Sequence, residues 1–431
     1  MYILYNSLFT LAAFLTAPYF VFRMRKKGGY GRSLFKMLGL GLDHQLSSLG
    51  KARPVWIHAV SVGEVRAAIP LIQRLKREHT DIKLVLSTVT ATGQEMARKA
   101  LPEIDRLIYF PFDISWVVKR LISLVRPRLF ITLETEIWPN FLRALREQAI
   151  PAVLVNGRIS ARSYKGYRLL RGFFNKVLAC FSYLCMQSAS DAERIISLGA
   201  NPATLMVCGN MKYDQAWGMD DLEAEKRAMS ILGLKAGTRI LVAGSTHPGE
   251  EEVIIAAYQE LKRDDSGLIL VLAPRHPERF DETEKLMRQN GLKLTRRSRL
   301  AGVNNSFEAI LLDSIGELST VYAGATVVFI GGSLVPFGGH NPLEAAAFSK
   351  PVLFGPHMDN FKDIADDLVE KGGAIMVRSK KELAQQASAL LRDPELARQL
   401  GECAARTIKE NIGATSATMK VINRFLTSQG G

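Results

Sequence analysis

Short aliphatic runs alternate with amphipathic segments along most of the chain, and no other feature limits the possible folds so strongly. In the first half, Val55–Ala59, Lys83–Thr88, Leu129–Glu134 and Ala152–Asn156 read as strands, with helical patterns over Val65–Glu78, Gly93–Leu101 and Pro139–Gln148 between them. The rhythm resumes later with strand candidates Arg239–Ala243, Leu268–Ala273, Ala309–Leu312, Val327–Ile330 and Pro351–Phe354. Helical patterns at Glu250–Lys262, Glu278–Gln289, Leu343–Phe348 and Glu382–Leu391 separate them. Strands that are apolar almost throughout must be covered on both faces, which points to parallel sheets sandwiched by helices. The expected class is therefore α/β, with two doubly wound halves facing each other across a cleft.

Length agrees, because 431 residues exceed one ordinary core. With 47% hydrophobic and 23% charged residues, the composition excludes disorder and collagen-like classes. Cys180, Cys185, Cys208 and Cys403 match neither a redox pair nor a zinc site, so they read as reduced thiols in a reducing compartment.

Charge is placed unevenly. Residues 1–215 hold 30 Lys and Arg against 14 Asp and Glu, whereas residues 216–431 hold 26 against 28. A basic first half suits an anionic partner: nucleic acid, an acidic bilayer surface or a phosphorylated substrate. Nucleic acid fits worst, since the basic residues lack interleaved aromatics and no recognition module is visible. Tyr2 to Phe22 is a stretch of 21 residues without formal charge, followed by Arg23, Arg25, Lys26 and Lys27. It has the length of a bilayer span, although Pro18 and several polar residues also suit an obliquely inserted interfacial helix. No basic residue precedes the apolar stretch, so a cleaved signal fits poorly, and the trailing cluster keeps the bulk of the chain cytoplasmic. The resulting division is a membrane anchor with basic flank (1–27), a first Rossmann-like domain (28–209), a linker and domain entry (210–237), a second Rossmann-like domain (238–403) and a C-terminal helix that can cross back (404–431).

In doubly wound sheets the chemistry sits in loops beyond the carboxyl ends of strands. The second half offers Gly244-Ser245-Thr246-His247-Pro248-Gly249-Glu250, a hydroxyl-rich turn opening a helix, and Pro274-Arg275-His276-Pro277, which puts a permanent cation at a strand end. The densest signal is Gly331 to Glu344, where four glycines surround His340, Asn341 and Glu344. Asn341 and Glu344 suit a helix cap, and equally a close-fitting ligand with Glu344 accepting two ribose hydroxyls. Asp313-Ser314-Ile315-Gly316-Glu317-Leu318 repeats the strand–loop–helix grammar. In the first half, Ser61 and Glu64 follow the first strand as either a capping box or a carboxylate placed to deprotonate a hydroxyl. Glu134 and Glu136 end another strand. With no His or further acidic cluster nearby in sequence, and no Asp-x-Asp motif, a site without metal or cofactor is expected. Arg158 and Arg162 stand after a further strand.

At these residues the chain resembles the Kdo transferases, which add 3-deoxy-D-manno-oct-2-ulosonic acid (Kdo) from CMP-Kdo to the lipid A precursor. The resemblance covers nearly the whole chain. It rests on the apolar N-terminal segment, Ser61-Val62-Gly63-Glu64, Glu134-Thr135-Glu136-Ile137-Trp138-Pro139-Asn140, Arg158 to Ser163, Gly209-Asn210-Met211-Lys212, Pro274 to Phe280 and Gly338 to Glu344. It implies a GT-B fold, two Rossmann-like domains with the donor nucleotide in the C-terminal one, together with an N-terminal membrane-anchoring helix at the cytoplasmic face of the inner membrane. It further implies that Ser245, Thr246, Arg275, His276, Gly316, His340, Asn341 and Glu344 line the CMP-Kdo site with help from Lys212. Ser61, Arg158 and Arg162 would meet the phosphorylated lipid acceptor.

One stretch departs from the family pattern. A Glu-Arg-x-Gly signature, whose Glu is the favoured general base, is expected soon after the apolar segment, but the chain reads Phe35-Lys36-Met37-Leu38-Gly39. A lysine is normally protonated and takes up no proton. Either Glu64 serves as the base, or the signature's carboxylate lies elsewhere in this stretch of the chain, or activity is altered; Glu64 is the expectation. The alternatives to an inverting Kdo transfer are a nucleotide-sugar 2-epimerase of similar fold and a catalytically impaired CMP-Kdo-binding membrane protein.

Overall fold

The computed structural model describes residues 2–7, 35–42, 46–47, 49–50, 52–216, 221–300 and 307–427. Two compact units result, one formed by residues 1–215 together with 412–431, the other by residues 216–411. Each is built on its own seven-stranded, wholly parallel sheet.

The first unit contains β1 (Val55–His58), β2 (Leu84–Thr88), β3 (Arg106–Tyr109), β4 (Leu129–Leu133), β5 (Ala152–Gly157), β6 (Tyr183–Met186) and β7 (Leu205–Val207) in the order β3-β2-β1-β4-β5-β6-β7. β1, β2, β4 and β5 are buried at every position, as two-sided cover by helices requires. One face packs an aromatic core in which Phe110, Phe130 and Phe141 surround Trp56, with centroid separations of 6.2, 5.7 and 5.1 Å. The other face takes the helix Val62–Glu78 and the C-terminal helix Ala414–Thr427. The order reverses between β1 and β4, which opens a crevice at their carboxyl ends.

The second unit contains β8 (Ile240–Thr246), β9 (Ile269–Pro274), β10 (Leu294–Arg296), β11 (Ala309–Leu311), β12 (Val327–Ile330), β13 (Val352–Phe354) and β14 (Ala374–Met376) in the order β10-β11-β9-β8-β12-β13-β14. Its reversal lies between β8 and β12. The two doubly wound sheets are those the apolar runs lead one to expect.

Several boundaries differ from the sequence reading, each for a physical reason. β8 continues through Thr246 because a bulge at Ser245, with φ +58°, lets the strand resume pairing with Pro274. Two helices, Met211–Ala216 and Asp221–Leu232, occupy the span read as a linker. The single C-terminal helix expected over 404–431 is two, Pro394–Asn411 and Ala414–Thr427. Gly413 breaks it with φ +114°, and Asp214 caps the second piece by accepting from the Gly413 and Thr415 N–H groups at 2.6 and 2.5 Å. The second piece belongs to the first unit, so the chain crosses back. The helix at Leu343 ends at Ala346, not Phe348.

The expected N-terminal anchor over residues 2–22 is described only at residues 2–7; the remainder, with the basic flank, lies outside the described residues. Among the described residues no helix is long and apolar enough to cross a membrane. Residues 2–7 are helical and rest on the first unit. There the Tyr5 hydroxyl donates to Asp113 Oδ2 at 2.9 Å, and the Tyr2 and Phe173 rings meet edge to face at 5.3 Å.

Candidate functional site

In the first unit, three carboxylates gather at the β1/β4 crevice. Glu64 sits in the first turn of Val62–Glu78 and is buried. Its Oε2 accepts the Val60 N–H at 2.8 Å and its Oε1 accepts the Ser61 hydroxyl at 3.3 Å. Ser61 is the helix N-cap by position but makes no side-chain cap, and Glu64 reaches back to the Val60 N–H instead of that of Ser61, so the capping box does not form as read. Burial first, then the neighbouring charges of Glu134 and Glu136, push Glu64 up to about 8 against the opposing Val60 bond. A carboxylate poised near neutral pH is a far stronger base than an exposed one.

Glu134 follows β4 directly, in the left-handed region at φ +54°, and its Oε1 pairs with Lys212 Nζ at 3.1 Å. Lys212, expected among the donor ligands, thus stands in the first unit on a carboxylate. Glu136 Oε2 accepts the Trp138 indole N–H at 2.9 Å, and burial pushes this carboxyl up to about 7. Behind it lies His58, wholly buried, its Nε2 4.0 Å from Glu136 Oε2. Lys36 lies in a short helical turn at residues 35–37, where the Phe112 N–H donates to the Met37 carbonyl. Arg158 is half-buried after β5, next to Ile159, whose N–H donates to Asp191 at 2.8 Å. The Arg162 side chain lies outside the described residues.

In the second unit, the loops after β8, β9 and β12 converge at the β8/β12 crevice. Glu250, fully buried, anchors the first and the last of them. Its Oε2 accepts the N–H groups of His247 and Gly332 at 3.0 and 2.6 Å, and its Oε1 accepts those of Ser333 and Leu334, both at 2.9 Å. A carboxylate holding four main-chain donors locks one loop to the other. On this frame His247 Nε2 lies 2.8 Å from His340 Nε2, with the rings stacked and Phe337 covering His247 at a centroid distance of 4.2 Å. Burial first, then His276, Arg275 and Arg279, bring His247 down to about 4, so the ring is neutral at physiological pH. Gly332, at φ +69°, is required here, because a Cβ would come within 3.1 Å of the His340 ring.

The expected donor residues fall around this frame. Ser245 forms the bulge, and the Thr246 hydroxyl is directed inward, donating to Glu251 Oε1 at 2.9 Å. Arg279 also binds Glu251 Oε1 at 2.6 Å, which fixes the loop after β9 from beneath. The Arg275 N–H donates to the Thr246 carbonyl at 3.0 Å while the Arg275 side chain is exposed, and the His276 ring meets His247 edge-on at 5.5 Å. Asn341 Oδ1 accepts the Leu343 N–H at 3.1 Å, as a cap should. The charge of Glu344 bears on the buried Tyr322 hydroxyl, which lies directly under Gly244. Gly316 is exposed in the turn after β11 with φ +93°.

Comparison with known proteins gives the family. The model for "3-Deoxy-D-manno-octulosonic-acid transferase (kdotransferase)" matches residues 34–215. A 3-deoxy-D-manno-octulosonic acid transferase of Haemophilus influenzae is 35% identical over 373 residues, covering 86% of this chain and 87% of the relative. The chain belongs to the Kdo transferase family. A second family member, from Bordetella pertussis, is 32% identical over 431 residues, covering 98% of this chain and 99% of the relative. Among solved structures, UDP-GlcNAc 2-epimerase from Neisseria meningitidis bound to UDP-GlcNAc shares the fold at a TM-score of 0.60 and 15% identity, covering 87% of this chain and 100% of that one.

Two residues of this Kdo transferase family member carry more than their sequence positions disclose. Glu250 reads as the first acid of a helix, and only the folded loop shows four main-chain donors upon it. His58 reads as the polar end of an apolar strand; the partial signal was its place immediately before Ala59 and the Ser61–Glu64 loop.

Proposed function

We propose that the chain transfers Kdo from CMP-Kdo to the lipid A precursor, lipid IVA, with inversion and without a metal, in lipopolysaccharide assembly. Family membership supports the sugar and the reaction class. The observation that carries the mechanism is the buried Glu64 carboxylate, raised to about 8 at the first unit's crevice. An acceptor hydroxyl attacks the anomeric C2 of Kdo, Glu64 takes the hydroxyl proton, the C2–O bond to phosphate breaks, and CMP departs with the bonding electrons. The exposed Arg275 guanidinium is suited to hold the phosphate charge as it develops. The His247–His340 stack and Glu344 shape the cytidine side of the donor pocket.

The acceptor carries phosphates, which the basic first half attracts, and acyl chains, which place it at a lipid surface. On this reading the enzyme works at the cytoplasmic face of the inner membrane, held by the segment beginning at Tyr2. Arg158 and Arg162 are the cations this reading assigns to the acceptor phosphates. Incubation of the purified full chain with CMP-Kdo and lipid IVA, followed by mass spectrometry of the lipid, tests the proposal. A lipid heavier by one or more Kdo residues supports it. No heavier lipid beside an active control enzyme, or isomerisation of a soluble sugar nucleotide instead, overturns it.

A further inference from the structure

His58 is the last residue of β1 and is completely buried, its ring stacked on Phe110 with centroids 3.7 Å apart. Buried polar atoms are almost always paired, so both ring nitrogens need an account. Nδ1 lies 3.2 Å from the Ser87 carbonyl and 3.1 Å from the Ser87 hydroxyl on the neighbouring strand β2. A carbonyl only accepts, and the Ser87 hydroxyl already takes the Trp56 indole N–H at 2.8 Å while donating to the Ile57 carbonyl. Nδ1 therefore carries the hydrogen. Nε2 is left as a bare acceptor, with no hydrogen-bond partner among the described residues, aimed at Glu136 Oε2 at 4.0 Å.

An unprotonated nitrogen facing an ionised carboxylate is repulsive; facing a carboxylic acid, it is a hydrogen-bond acceptor. We propose that His58 is a positioning residue that holds Glu136 in its protonated form, with Glu136 as the donor and His58 Nε2 as the acceptor. Gaps of this size close readily when substrate fills a site. The direction of the burial effect agrees on both sides, since burial keeps His58 neutral and raises Glu136. The other charged or titratable groups bearing on the pair are Glu64, Glu134 with its partner Lys212, and Tyr167, whose hydroxyl is raised by burial and by Glu136.

The consequence concerns Glu64 and rests on its proposed role as base. Glu136 is one of two carboxylates whose charge hinders ionisation of Glu64. By burial alone Glu136 would give up its proton before Glu64 does; the hydrogen bond to His58 Nε2 reverses that order, and the neutral Glu136 then leaves Glu64 free to ionise. His58 thereby tunes the base from behind without touching the substrate.

The test has two arms. With only seven histidines in the chain, 15N-histidine spectra of the full protein are assignable by comparison with His58→Asn. His58 is expected as the neutral Nδ1–H form between pH 6 and 8; an Nε2–H form or an imidazolium overturns the inference. In the kinetic arm, the Asn amide of His58→Asn can still donate to Ser87 but has nothing in place of Nε2. The acid limb of kcat/KM is expected to move to higher pH by about one unit, and the double variant His58→Asn/Glu136→Gln to return it. An unmoved limb, or one the second substitution fails to restore, overturns the inference. Should His58→Asn not fold, Glu136→Gln alone decides: whatever its rate, its limb stays in place if Glu136 is normally neutral and moves to lower pH if it is normally charged. Glu64→Gln separates the two readings: an acid limb that survives it removes Glu64 as base, and the tautomer measurement then judges His58 independently.

Discussion

The Glu250 carboxylate accepts the Gly332 N–H at 2.6 Å from within a fully buried setting, so the loop after β8 and the loop after β12 are held by one side chain. Removing that carboxylate strands the N–H groups of His247, Gly332, Ser333 and Leu334. Each unpaired buried donor costs about 1–3 kcal/mol before relaxation, so Glu250→Ala is expected to lose at least about 3 kcal/mol in urea unfolding of the second unit. Loss below about 1 kcal/mol would show that the loops hold without it.

Glu64 and Glu136, raised to about 8 and about 7, also make stability depend on pH. Carboxyls with raised folded values bind protons more tightly in the native state than in the unfolded chain. Their stabilisation is complete below the ordinary carboxylate range and is lost as pH rises toward 8. Glu64→Gln removes its share, so relative to the natural chain this variant should gain stability on going from pH 5 to pH 9, by about 2 kcal/mol or more. Denaturant midpoints at the two pH values check this.

Lys212 lies 3.1 Å from Glu134, whose charge ranks after burial in raising Glu64. Lys212→Met leaves Glu134 uncompensated and is expected to move the acid limb of kcat/KM to higher pH. If Lys212 instead holds the donor, KM for CMP-Kdo rises and the limb stays. A pH-rate profile with both constants separates the two.

Arg275 has an exposed side chain at the carboxyl end of β9, in the loop whose backbone is tied to Thr246. Arg275→Ala is expected to weaken CMP-Kdo binding by about tenfold or more, the worth of a charge-assisted contact to phosphate, with little effect on melting temperature. Isothermal titration calorimetry and a thermal melt give both values.

Strands buried on both faces, such as β1, β4, β8 and β12, were legible because nearly every residue in them is apolar. Short strands toward the sheet margins were not: β3 has one buried residue of four, and β7 has none. The ends of β8 and of the last helix escaped because one bulge and one glycine decided them, at Ser245 and Gly413. The motif loops were legible for the same reason that they are useful, since Gly332 and its neighbours suit only a tight approach. The partners inside the site were not. The pairing of Lys212 with Glu134, and of His58 with Ser87, joins residues separated by tens of positions; the β1/β2 register brings the second pair together, and the helix Met211–Ala216 carries Lys212 to the end of β4 for the first.

The role of Glu64 as base is tested most directly by measuring, in one preparation of Glu64→Gln, both CMP-Kdo affinity by calorimetry and Kdo transfer to lipid IVA. Transfer is expected to fall by about 10²–10⁴, the usual worth of a positioned base, with CMP-Kdo affinity within about twofold of the natural chain. Transfer retained at the natural rate would contradict the assignment.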